Sequence, residues 1–134
     1  MGKLTSKQVH ELANNFLALA QSIGDYRYKN YEVLTEEENK ILRETHKRTL
    51  DYSDDLYTVS ATLVIDNVKS SLAELDAITE NIRMSYQSLE DVQKAIDIAT
   101  NVITLGASIF SLNPQAISDA MGSLKDAVED NPVA

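Results

Sequence analysis

Apolar residues recur along most of this chain with the three-and-four spacing that places them on one face of an α-helix. The pattern is cleanest near the start. There Val9, Leu12, Ala13, Phe16, Leu17, Ala20 and Ile23 share one side, and Lys7, Glu11, Asn14, Asn15 and Gln21 take the other. Thr5 and Gln8 form a Thr-x-x-Gln capping box, and Leu4 and Val9 bracket it as a hydrophobic staple, so the first helix is predicted to begin at residue 6. Its end is less sharply marked. Gly24-Asp25 would stop it as a 6–24 helix, whereas the apolar pattern also allows 6–30.

A second start stands at Thr35, where Glu38 completes another capping box and Glu36, Glu37 and Glu38 meet the positive end of the helix dipole. Two apolar stripes follow in succession. Ile41, Leu42, Thr45, Thr49, Tyr52, Leu56, Val59 and Leu63 share one side. Ala61, Val64, Ile65, Val68, Leu72, Leu75, Ile78, Ile82 and Tyr86 share another, turned by roughly 130° at 100° per residue. Neither Gly nor Pro occurs between Asp25 and Leu105, which favours one continuous, bent helix over 36–86. The alternative is a break near 53, with Ser53 capping a new helix.

Ser85 and Ser88 offer the next caps, ahead of a wide apolar face over 89–112 with a thin polar seam of Asp97, Asn101, Thr104, Ser108 and Ser111. Asn113 then caps and Pro114 opens a last helix, 114–130, after which Asn131 to Ala134 should fray. The expected fold is all-α, a single domain over 1–134. It is an up-and-down bundle of four main helices, elongated along the long second one, with the 89–112 helix most enclosed.

Composition narrows the functional field. With 134 residues, 43% of them hydrophobic, the chain is long and apolar enough for one real core. The absence of cysteine removes disulfide scaffolds, thiol nucleophiles and thiolate zinc sites. The first residues, MGKLTSKQVHEL, lack the apolar run of a signal peptide, so a cytoplasmic location is expected, with export by a route needing no cleaved signal also compatible. The net charge of −9 is unevenly spread: residues 1–50 hold eight basic against seven acidic side chains, and residues 51–134 hold four against 14. Nucleic acid would be repelled by that acidic part, and a basic partner would be attracted.

Candidate chemistry is sparse. The residues three before His10 and His46 are Lys7 and Arg43, so the Glu-x-x-His pairs of carboxylate-bridged metal sites are absent, and no metal is expected. No phosphate-binding glycine loop, nucleophile elbow or Ser-x-x-Lys motif occurs, so no cofactor and no catalysis are expected. Lys40, Arg43, Lys47 and Arg48 read as a charge ladder, with Glu36/Lys40 and Glu44/Arg48 as i, i+4 pairs. The uncharged stretch from Ile98 to Ser118 is cut by Asn113-Pro114, leaving too short a helix to span a bilayer.

The segment that most resembles a contact surface is Tyr26, Arg27, Tyr28 and Tyr31, because Tyr and Arg bury much area while keeping a polar tip. Tyrosines at a helix end also serve to cover the bundle's open end. The expected function is therefore non-catalytic association with another protein, in an adaptor, inhibitor, immunity-type or secretion-partner role, with homo-oligomerisation as one way to cover apolar surface. The alternative is a membrane-active protein that inserts its 95–112 helix and the one after it into lipid.

Overall fold

Thr5 opens the first helix as the sequence predicts. In the computed structural model, which describes residues 2–58, 64–65, 67–111 and 113–129, the Gln8 amide donates to the Thr5 hydroxyl (3.2 Å) and the Thr5 amide to the Gln8 side chain (2.9 Å). Helix α1 spans Ser6–Lys29, the longer of the two expected ends. Gly24 stays helical, and Asn30 closes the helix with its backbone amide and side chain both donating to the Tyr26 carbonyl.

The buried side of α1 is wider than the sequence suggests. Leu19 is fully buried where Leu17 was expected, and Asn15, expected to be wet, is buried and donates to Asp76 (2.8 Å) and to the Glu11 carbonyl. The reason is that two helices lie against α1. Helix α2, Glu36–Thr58, runs back antiparallel to it, as the pairs Phe16–Tyr52 and Arg27–Asn39 show. Its buried face is narrow and hydroxyl-rich: Thr45 donates to the Ile41 carbonyl, Thr49 to the Thr45 carbonyl, and Ser53 across to the Ala13 carbonyl (2.9 Å). Small side chains whose hydroxyls are satisfied on backbone oxygens let the two helices approach closely without leaving buried donors unpaired.

The long 36–86 helix is not formed. Nor does the chain break at 53, where Ser53 sits in mid-helix and not at a cap. Between Thr58 and Val68 two residues, Val64–Ile65 (β2), pair antiparallel with Gly2–Lys3 (β1), Gly2 opposite Ile65 and Lys3 opposite Val64. Asn67 then takes a left-handed φ of 48°, a conformation that Asn tolerates better than most residues, and helix α3 runs over Val68–Ser88. The expected stripe positions Val59, Ala61 and Leu63 lie outside the described residues.

Helix α4, Val92–Phe110, begins three residues later than expected, because Asp91 and not Ser88 is its cap, accepting from the amides of Gln93 and Lys94. Asn113 caps helix α5, Pro114–Glu129, by accepting from the Gln115 and Ala116 amides, with Pro114 in its first turn as predicted. The expected apolar position Leu112 and the fraying end Asn131–Ala134 lie outside the described residues.

Among the described residues the fold is thus helical apart from one two-rung strand pair, with five helices in place of four. Each helix packs mainly on two others, in the circular order α1, α2, α4, α5, α3 and back to α1. This order explains why the second stripe is rotated from the first: α2 faces α1 and α4, whereas α3 lies on the other flank of α1 and faces α1 and α5. A single rod could not occupy both places. Nine of the 19 residues of α4 are buried, against ten of 24 in α1, so the expectation of an enclosed 89–112 segment holds over Val92–Phe110.

One buried group stands out energetically. The Thr79 hydroxyl is enclosed on α3 and has no hydrogen-bond partner among the described residues. An unpaired buried hydroxyl costs about 1–3 kcal/mol, so Thr79→Val, which keeps the β-branched shape, is expected to raise unfolding stability by about 1 kcal/mol. Urea denaturation of the two proteins measures this. A loss of stability would show that the hydroxyl is in fact satisfied.

Candidate functional site

The C-terminal turn of α1 and the connection to α2 form a corner whose aromatic residues divide into two groups. Positions 16, 19, 23 and 26 follow the helical period, so Tyr26 continues the buried stripe and is only 2% exposed. Its ring lies against Tyr86 of α3, centroids 5.2 Å apart, and its hydroxyl is buried without a hydrogen-bond partner among the described residues. Tyr86 donates its hydroxyl to the Ala95 carbonyl (2.8 Å). Burial pushes both phenols above their ordinary range; Asp91 and then Glu38 add to the effect on Tyr26, and Tyr26 adds to that on Tyr86. Tyr26 therefore belongs to the core and covers the end of the bundle. It is not part of a contact surface.

Two positions further on, the helix faces outward. Tyr28 is 85% exposed, Tyr31 56% and Val33 71%. Among the described residues only five large hydrophobic side chains are exposed, and these three fall within six consecutive positions; the others are Tyr57 and Met84. The backbone beneath them is well held: the Tyr31 amide bonds to the Tyr28 carbonyl, and the Val33 and Leu34 amides to the Asn30 carbonyl. Arg27 donates its Nε to Asn39 of α2 (2.7 Å) and holds its guanidinium 5.8 Å from the centre of the Tyr31 ring. Lys29 donates to the Gln87 carbonyl at the end of α3 (2.6 Å), and Thr35 and Glu38 close the expected capping box of α2.

Two concavities of about 620 Å³ each meet at Tyr31. One is formed by residues 27–33, the other by Tyr31 with Glu36, Glu37, Asn39, Lys40 and Arg43. The structure therefore brings Arg27, Tyr28 and Tyr31 together, removes Tyr26 from the group and adds Val33. Val33 lies in the connection between two capped helices, outside either apolar stripe, so periodicity does not single it out.

A third concavity, about 930 Å³, lies between α4 and α5 and is lined by Asp91, Asp97, Asp126 and Glu129 with Gln93, Lys94 and Asn101 among its polar walls. The expected polar seam thus opens partly into this groove, through Asp97 and Asn101, whereas Ser108 is buried and donates to the Leu105 carbonyl. Among the described residues no three His, Asp or Glu side chains converge to hold a metal ion. The histidines are placed structurally. His10 packs on Tyr57, and His46 donates Nδ1–H to the Ala20 carbonyl (2.7 Å) above Gly24. The expected Glu36/Lys40 and Glu44/Arg48 pairs are not closed among the described residues; Arg83 pairs instead with Glu80 on α3. No described helix is long and apolar enough to cross a membrane.

No protein-family model, no curated protein and no solved structure matches the chain.

Proposed function

We propose that this protein is a non-catalytic helical-bundle protein that acts by binding another protein, and that Arg27, Tyr28, Tyr31 and Val33 form the contact surface. The observation that carries this reading is that three of the five exposed large hydrophobic side chains among the described residues fall within positions 28–33. Tyr and Arg are the residue types that most often dominate binding energy, since a large flat area is desolvated while the hydroxyl or guanidinium still finds a partner. The antiparallel pairs α1/α2 and α4/α5 supply the up-and-down scaffold that holds the corner in place, so little ordering entropy is lost on binding. Adaptor, inhibitor, immunity-type and secretion-partner roles all use such a contact.

The test is affinity capture from the native host with the wild-type chain and with Tyr28→Ala/Tyr31→Ala in parallel. Both side chains are exposed, so the variant is expected to keep its thermal stability within about 0.5 kcal/mol. Its specific partner should fall at least about tenfold in yield. Identical capture profiles for the two proteins would sink the reading.

A further inference from the structure

We draw no further inference here: the strongest candidate, the groove between α4 and α5 lined by Asp91, Asp97, Asp126 and Glu129, is a cluster of acidic side chains with Lys94 among its walls, and nothing in the structure shows what covers it.

Discussion

Gly106→Ala is expected to destabilise the protein by about 1–3 kcal/mol, whereas Gly122→Ala is expected to stabilise it by about 0.5–1 kcal/mol. Both glycines lie within helices, and in an open helix alanine is the better residue because it restricts the unfolded chain. What differs is the space. A Cβ on Gly106 would stand 2.3 Å from Tyr52 Cδ2 and 2.9 Å from Tyr52 Cγ, far inside van der Waals contact. The ring cannot readily swing aside, for it packs edge-on to Phe16 (6.1 Å between centroids) and stacks on Phe110 (5.9 Å). Only its Cβ is fixed by the backbone of α2, so relief requires either a turn about χ1 that breaks the Phe16 and Phe110 contacts or a separation of α2 and α4. Around Gly122 nothing lies within 4 Å of the new methyl. Thermal unfolding of the two variants reports the contrast as shifts of opposite sign, at about 3–5 °C per kcal/mol for a chain of this size. A Gly106→Ala protein as stable as wild type would mean that α2 and α4 do not meet as described.

That contact also shows where sequence reasoning stops. Periodicity and capping chemistry are local, and they located the starts of α1, α2 and α5 because Thr5/Gln8, Thr35/Glu38 and Asn113-Pro114 act within one turn. The break between α2 and α3 has no Gly or Pro to announce it. It depends on Asn67 adopting a left-handed backbone and on Val64–Ile65 pairing with Gly2–Lys3, a contact more than sixty positions away in the chain. The rotation between the two apolar stripes was legible, but it fits a bent rod flanked by changing neighbours as well as two helices placed on either flank of α1. Only packing chooses between these. Ser88 and Asp91 are comparable caps on paper, and the extended backbone at Leu89 decides for Asp91.

The corner was legible as a composition and illegible as a surface. Tyr26, Tyr28 and Tyr31 look alike until the end of α1 is known. Once the helix is carried to Lys29, Tyr26 falls in phase with Phe16, Leu19 and Ile23 and turns inward, and Tyr28, two positions on, turns outward. A single undecided helix boundary is what merged a core residue with the exposed ones.

Raising the pH above about 10 is expected to unfold the protein, with Tyr86 as a principal cause. Its phenol is enclosed between α1, α3 and α4, and burial lifts its pKa far above the ordinary 10, with Tyr26 shifted in the same direction. A neutral phenol in the fold and an ordinary phenol in the unfolded chain set the sign. Below pH 10 both states hold the proton and the full stabilisation is present; above it the unfolded chain releases the proton while the fold keeps it, so stability falls as pH climbs toward the folded value. Each such tyrosine contributes a slope of up to about 1.4 kcal/mol per pH unit. Tyr86→Phe removes one of them. At neutral pH it loses the bond to the Ala95 carbonyl, about 1 kcal/mol, yet its stability should decline less steeply in alkali, so the two curves converge or cross. The difference between the two proteins isolates the phenol from every other group they share. Tyrosinate absorbance provides the independent check: the part of the signal that Tyr86→Phe removes should appear in the wild-type protein only as helical ellipticity is lost. If that part rose while the helices remained intact, the seam around Tyr86 would have to be open to water.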